Sequence, residues 1–503
     1  MTVCDQFLRT AQTLPDAIMV HHLGIDFTFG YVASSAEYAA SRLLDMGIKP
    51  GDRVGILLDN RVEYVIAYFA VQLAGGIVVA LNPVTTVREL EQTLVNAQPT
   101  CVIVGGSALN VLRQVIPQLG HLRGLISIDE TESAVGIETT KFSRWIEPTG
   151  GRAIAPNCAE HIAQIIYTSG TTGQPKGVAL THANLSANTS SIVQYLKLKQ
   201  HDSMFTVLPF YYSYGNSLLL THAAVGGKLV LAADFVFWNR ALQLMQEQRA
   251  SGFAGVPSTF ALLFYRSKFA SMIFPDLRYV TCAGGALSPT LAHRLRACLP
   301  NSDIYLMYGL TEATARLSAL LPQDLGEKIG SIGKGIPGVT LRVLDESQKP
   351  VLPGEVGEIY AQGANIMHGY WQDAEATKLV LSRAGLRTGD LARVDEDGYI
   401  YIVGRCSDVI KCGAYRINPH EIEEVMLEIA GIEEAAVVGQ PDELLGEIIV
   451  AYVVVDNQSV NEVEIRAHCK RRLPPHKWAR RIEFVTELPK TSSGKICRSV
   501  LRH

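Results

Sequence analysis

Between Val65 and Val84 the chain runs without a charged residue (VIAYFAVQLAGGIVVALNPV), long enough in principle to cross a bilayer. Gly75-Gly76 interrupts the run, and the part from Ile77 to Leu81 is short and β-branched. The pattern therefore predicts a helix, a glycine turn and a buried parallel strand, with no membrane span. Its neighbours repeat the theme. Ser35–Met46 has the spacing of an amphipathic helix, Arg53–Leu58 reads as a strand, Val62–Leu73 as a helix and Ile77–Leu81 as a strand. Helix Val87–Asn96 and strand Cys101–Val104 follow, and strands resume at Lys228–Ala232 and Leu277–Cys282. Alternating β and α elements argue for a parallel sheet covered by helices.

A chain of 503 residues is long enough for about three average domains and for more than one buried core. Its texture changes near residue 405. From Asp408 a hairpin-like run leads to Asn418-Pro419, a cap followed by a residue suited to the first helical turn, and a helix through Leu427. Strands Glu434–Val438 and Ile448–Val455, a capping-box start at Ser459-Val-Asn-Glu462 and strand Ile482–Val485 complete an α+β unit of about 100 residues. The domains expected are 1–404 and 405–503, with the boundary at Gly404–Asp408.

A net charge of −4 gives no basic footprint for nucleic acid. The cysteines (Cys4, Cys101, Cys158, Cys282, Cys298, Cys406, Cys412, Cys469 and Cys497) are odd in number, and no pair has zinc-knuckle or redox spacing. They fit free thiols in a reducing cytosol. Cys406 and Cys412 have no histidine at ligand spacing. The start, Met1-Thr-Val-Cys-Asp5, has no secretory pattern, so a cytoplasmic location is expected.

The densest chemistry lies in Tyr167-Thr-Ser-Gly-Thr-Thr-Gly-Gln-Pro-Lys-Gly-Val178, directly after the apolar run Gln164–Tyr167. Gly170, Gly173 and Gly177 allow close backbone approach. The hydroxyls of Thr168, Ser169, Thr171 and Thr172, with backbone N–H groups, can cradle polyphosphate oxygens, and Lys176 adds a point charge. The spacing is not that of a Walker loop.

This loop resembles the phosphate-binding signature of the adenylate-forming superfamily: acyl-CoA synthetases, peptide-synthetase adenylation domains and beetle luciferases. Tyr308-Gly-Leu-Thr-Glu-Ala313 resembles the YGxTE box of that family. Arg387-Thr-Gly-Asp390, Gly404-Arg405, Lys411-Cys-Gly413 and Leu488-Pro-Lys-Thr-Ser-Ser-Gly-Lys495 follow in family order, and weaker matches such as Gly51-Asp-Arg-Val54 extend the likeness over nearly the whole chain. The fold implied is a large domain of helix-covered sheets with a small mobile α+β domain. The activity implied is ATP-dependent formation of an acyl-adenylate from a small carboxylic acid, then acyl transfer to a thiol.

The resemblance assigns Thr311, within Tyr308–Gly309 and its neighbours, to the α-phosphate. Glu312 has the chemistry to hold Mg²⁺, which takes one or two protein oxygens plus phosphates and water. Asp390 can accept hydrogen bonds from ribose hydroxyls, as an acid does in dinucleotide folds, and the resemblance adds Arg405 to that job. Gly284-Gly285-Ala286 looks like the adenine-side loop. Lys495 is the family's bridge between carboxylate and α-phosphate, and one such preorganised donor is typically worth ~10²–10³ in rate. The face of Lys411 and Gly413 is implied to replace Lys495 when the small domain swings about Ser407–Asp408.

Two features depart from the family pattern. In Leu208-Pro-Phe-Tyr-Tyr-Ser-Tyr-Gly215, Tyr212 stands where many acyl-CoA synthetases have His; it can gate acyl entry but cannot become a cation. Ser213 stands where peptide-synthetase domains carry the Asp that anchors an α-ammonium, which disfavours amino acids. Ser407 replaces the Lys or Asp often found at the hinge. Tyr211, Tyr212, Ser213, Tyr214, Gly215, Gly309 and Arg316 form the expected acyl pocket. There Arg316 either meets a polar or anionic group of the acid or is a surface residue. The basic stretch Lys470–Arg481 either meets CoA phosphates or a carrier protein's acidic helix, or is a solvated face. CoA is the acceptor expected first, then the phosphopantetheine of an acyl carrier protein, then an amine. A luciferase-like oxygenase and a catalytically silent homologue are further readings; retention of Lys176, Glu312, Asp390, Arg405 and Lys495 argues against silence.

Overall fold

The structure, a computed structural model, describes residues 2–129, 137–148, 154–155, 157–169, 175–232, 237–413, 415–456, 460–490 and 496–502. The chain divides into two compact units, Met1–Leu341 with Ala361–Leu386, and Arg342–Tyr360 with Arg387–His503.

In the first unit, one sheet orders Gly369–Tyr370, Pro175–Thr181, Ile162–Ser169, Ile77–Ala80, Arg53–Leu57, Cys101–Val104, Gly124–Ser127 and Glu138–Lys141. The uncharged run sits at its centre. Helix Val62–Leu73 buries every residue except Glu63, and strand Ile77–Ala80 is buried throughout and pairs in parallel with Arg53–Leu57 and with Ile162–Ser169. Gly75 turns the chain at φ +76, and a Cβ there would lie 3.1 Å from that of Ala155. Tyr64, Tyr68 and Phe69 are fully buried, and the apolar Phe69 side chain contributes roughly 1.5–3 kcal/mol of transfer energy. Tyr68 resolves its own polar end by donating to Gln164 Oε1 at 2.9 Å. Among the described residues no helix is long and apolar enough to cross a membrane.

The second sheet of this unit has a parallel centre, Lys228–Leu231, Ser203–Thr206, Gly252–Gly255, Tyr279–Cys282 and Asp303–Tyr308. Antiparallel strands Ser318–Leu320 and Lys334–Gly335 extend one edge, and Ile18–His22 with Ile25–Thr28 extend the other. Three of the sequence boxes begin where these parallel strands end: Leu208–Gly215 after Thr206, Gly284–Ala286 after Cys282, and Gly309–Glu312 after Tyr308. Open α/β sheets bind ligands at this carboxyl edge of their strands.

The second unit contains the sheet Tyr415–Ile417, Ile410–Cys412, Gly446–Val455 and Ile432–Asp442, with Arg481–Phe484 parallel to Gly446–Val455. Helices Pro419–Leu427 and Glu462–Arg472 cover it, burying Ile422, Met426 and Ile465 against Ile410, Val437 and Ala451. Asn418 caps the first helix by accepting from the His420 N–H, as expected. The second is capped by Asn461, which accepts from Glu464 N–H, so the capping-box expectation on Ser459 is replaced; Ser459 lies outside the described residues. Other boundaries move slightly. The first long helix begins at Phe29, ahead of Ser35, because Thr28 caps it by accepting from Tyr31 N–H, and the predicted strand from Leu277 begins at Tyr279.

Candidate active site

The glycine-rich segment joins two antiparallel strands in which Tyr167 faces Gly177, Thr168 faces Lys176 and Ser169 faces Pro175. Gly170, Thr171, Thr172 and Gly173 lie outside the described residues. A Cβ at Gly177 would come within 2.9 Å of Ile165 and 3.2 Å of the Trp371 Cβ, so this position packs only as glycine. Gly369–Tyr370 adds a short strand to the same hairpin, with Tyr370 beside Val178. That register places the Tyr370 ring 5.1 Å from Lys176 Nζ and lets its hydroxyl donate to Glu312 Oε1 at 2.8 Å. Met367 N–H holds the Glu312 carbonyl at 2.9 Å, and Tyr370 N–H donates to Thr377 Oγ1 at 2.9 Å. Burial, then the Glu312 charge, push the Tyr370 phenol far above its ordinary range, so it remains a hydrogen-bond donor.

Thr311 and Glu312 sit on a 3₁₀ turn, Thr311–Ala313, that follows strand Asp303–Tyr308. Thr311 Oγ1 lies 3.3 Å from Ser213 Oγ at the start of helix Ser213–Val225. Tyr212 is that helix's N-cap and its ring centroid lies 4.7 Å from that of Tyr211. Two glycines make the approach possible: a Cβ at Gly215 or at Gly309 would lie 2.0 Å from a carbonyl oxygen, of Pro209 and Ala315 respectively. Thr314 closes the turn at φ +67, unusual for a β-branched residue, and its hydroxyl donates to Asn365 O at 2.7 Å. Gly284, Gly285 and Ala286 form an exposed loop, with Gly284 at φ +87.

Arg316 is 2% exposed, so the surface reading is overturned. Its guanidinium carbon lies 3.9 Å from the Tyr214 ring centroid, and its Nε donates to Met307 Sδ at 3.2 Å. The Tyr214 hydroxyl in turn donates to the Thr281 carbonyl at 3.0 Å and lies 2.8 Å from the Thr281 hydroxyl.

In the second unit Asp390 faces Arg405 across an antiparallel pair, and Arg405 Nε meets Asp390 Oδ1 at 2.8 Å. Asp390 is buried while Arg405 is half exposed. Glu358 fixes the turn before it, accepting from Gly389 N–H at 3.0 Å and Arg387 Nε at 2.7 Å. Lys411 N–H donates to Glu447 and Gly413 turns at φ +60. Ser407 and Asp408 are held by the C-terminal helix, with Arg502 Nη2 2.8 Å from Ser407 O and 3.2 Å from Asp408 Oδ1. In the basic stretch, Arg472 pairs with Glu428 at 2.6 Å and Lys477 with Glu421 at 2.6 Å, so two of its charges are engaged within the unit. Lys495 lies outside the described residues.

Residues 7–371 match the family described as AMP-binding enzyme, and residues 421–495 match the AMP-binding enzyme C-terminal domain. The chain belongs to the AMP-binding enzyme family. It is 31% identical to a long-chain-fatty-acid–CoA ligase of Yersinia pestis, over all of this chain and 94% of the relative. Among solved structures it is similar to ATP-bound MatB from Rhodopseudomonas palustris, with a TM-score of 0.89 and 27% identity over 100% of this chain and 98% of that one. It is also similar to the amide bond synthetase McbA from Marinactinospora thermotolerans, with a TM-score of 0.89 and 27% identity over 99% of both. An AMP-binding enzyme of this kind is an ATP-dependent, AMP-forming carboxylic acid ligase of the acyl-CoA ligase family, built as a large and a small α/β part.

Within the first unit the fold thus gathers Lys176, Ser213 and the adjacent Thr311 and Glu312 from three separate stretches of sequence. It adds Tyr370, which the sequence reading did not single out. Gly369-Tyr-Trp371 is a visible aromatic triplet, but nothing in the sequence joins it to the hairpin; only the pairing with Val178 does.

Proposed function

We propose that this AMP-binding enzyme converts a small carboxylic acid, Mg-ATP and CoA into an acyl-CoA, AMP and pyrophosphate. The observation that carries the proposal is the contiguity of Lys176, Tyr370 and Glu312. The carboxylate there is partnered by a neutral hydroxyl, which orients it without bringing a positive charge of its own. Among the described residues no group of three or more His, Cys, Asp or Glu could hold a metal by itself. A single acid suits Mg²⁺, which keeps phosphate and water ligands. When bound, the ion would neutralise the charge of the phosphates.

In this reading Lys176 and the hydroxyls around it orient the phosphates, and Thr311 with Ser213 aligns the α-phosphate and the acid's carboxylate. That carboxylate oxygen attacks the α-phosphorus in line as pyrophosphate leaves, so the chain's main work is positioning and charge stabilisation. Asp390 and Arg405 would hold the ribose, Gly284–Ala286 the adenine, and Lys495 the developing charge. Tyr211 and Tyr212 would gate the acyl entry. The pivot Ser407–Asp408, with domains 1–404 and 405–503, would then exchange Lys495 for the Lys411–Gly413 face, and the CoA thiolate would displace AMP from the acyl carbon. Closure protects a water-labile mixed anhydride.

CoA is favoured by the likeness to the Yersinia long-chain-fatty-acid–CoA ligase. The amide bond synthetase neighbour makes an amine the second acceptor to test, and a carrier-protein thiol is the third. A cytoplasmic site of action is supported by nine cysteines, none in a disulfide. Pyrophosphate release with Mg-ATP over a panel of fatty, aromatic, hydroxylated, dicarboxylic and amino acids tests the reading. Each acid is run alone, with CoA and with an amine. CoA-stimulated release with a thioester found by mass is expected; amide formation alone would replace CoA by an amine, and no release with any acid would overturn the proposal.

A further inference from the structure

Two of the arginines that lie over tyrosine rings in the first unit, Arg278 and Arg316, differ in what completes them. Arg278 stacks 4.5 Å from the Tyr279 centroid and also meets both oxygens of Asp202, through Nε at 3.1 Å and Nη2 at 2.7 Å. Arg316 stacks on Tyr214 at 3.9 Å and is far more buried, yet among the described residues it makes no ion pair. Its hydrogen-bonding partners are neutral: Nε donates to the Met307 thioether, a weak acceptor shared with the Tyr195 hydroxyl at 3.0 Å, and that hydroxyl itself hydrogen-bonds the Arg316 side chain. A guanidinium presents five donors, and a ring face offsets only part of the cost of taking that charge out of water. The main chain beneath it is fixed, because Asn188 and Asn365 amides both donate to the Arg316 backbone carbonyl, at 3.0 and 2.9 Å. A desolvated cation with neutral partners and no carboxylate is half of a charge-assisted pair.

Its position says which ligand completes it. Arg316 follows the Thr311–Ala313 turn, and its Cα would lie 2.8 Å from a Cβ at Gly309. Tyr214, beneath the guanidinium, is the next residue after Ser213, whose hydroxyl meets Thr311. We infer that Arg316 binds a second carboxylate of the acid substrate, so that the enzyme activates dicarboxylic acids, one carboxylate reacting beside Thr311 and the other paired with Arg316. This rests on the ligase reading above and narrows its substrate class.

The test has two arms. In the first, wild type and Arg316→Met are melted without ligand. A cation kept for a ligand predicts an apparent Tm for R316M equal to or about 1–3 °C above wild type; a lower Tm makes Arg316 a structural group and overturns the inference. In the second arm, pyrophosphate release is compared for dicarboxylic acids and their methyl half-esters, which differ by one charge. Wild type should prefer the diacids at least ~10-fold in kcat/KM, R316M should lose ~10²-fold on diacids only, and Arg316→Lys should recover part of it, with KM for ATP unchanged. Equal use of diacid and half-ester by wild type, or a raised KM for ATP in R316M with acid preference unaltered, overturns the inference. Release with no acid at all would sink the ligase reading itself, while the melting arm still judges Arg316.

Discussion

Glu312 and Asp390 are both acids held by one well-placed donor, and the donors differ in charge. Glu312 receives a neutral phenol hydroxyl from Tyr370 at 2.8 Å, whereas Asp390 receives the Arg405 guanidinium at 2.8 Å. The first arrangement orients a carboxylate through a donor that brings no charge, which suits a cation brought in by phosphates. The second is close to neutral as a pair, which suits hydrogen bonds from uncharged hydroxyls and gives a metal little reason to stop there. The lesson is that the partner's charge, more than the acid itself, decides which ligand an acidic residue is ready for.

That contrast can be broken most severely at Glu312. Glu312→Gln keeps the shape and the phenol contact but removes the charge, and kcat for pyrophosphate release should fall ~10²–10³-fold, with a raised Mg²⁺ requirement, measured by metal titration at saturating ATP. Asp390→Asn should act in the other way, raising KM for ATP about 10-fold while leaving kcat within about 2-fold; a kcat loss as large as that of E312Q would erase the distinction. Tyr370→Phe should cost about 3–10-fold in kcat, because Glu312 keeps its charge and loses only one oriented hydrogen bond. Its pH profile should match wild type on the alkaline side, since burial and Glu312 hold the phenol far above the working range. Arg405→Lys should be the mildest, about 2–3-fold in KM for ATP, because the Arg405 side of the pair is half exposed and a cation is retained.

Much of this architecture was legible from residues that act locally. The helix Val62–Leu73 appears where the sequence places it, since an uncharged run broken by Gly75 admits few alternatives. The box at Lys176 carries enough chemistry within a few residues to be recognised alone, whereas Glu312 and Asp390 are legible only together with the other boxes in their order along the chain. The missing parts depend on distant partners. Tyr370 gains its role from a strand register with Val178, about 190 residues earlier, and no local pattern announces that pairing. Arg316 could be read as surface or site because an arginine beside a Thr-Glu turn is ambiguous until its burial is known. Helix starts moved where a cap outside the periodic run took over, as Thr28 does for Phe29–Asp45.

The pairing of Gly369–Tyr370 with Val178–Ala179 also bears on how the chain is made. Residues 361–386 belong to the first unit although residues 342–360, which precede them, belong to the second. On a ribosome the first unit therefore cannot finish folding when residue 341 emerges. It must wait until the strand carrying Tyr370 has cleared the exit, and close a loop of about 190 residues to seat it. Until then Glu312 has no phenol beside it and the Val178 edge is unpaired, so the surroundings of this acid are assembled late in synthesis.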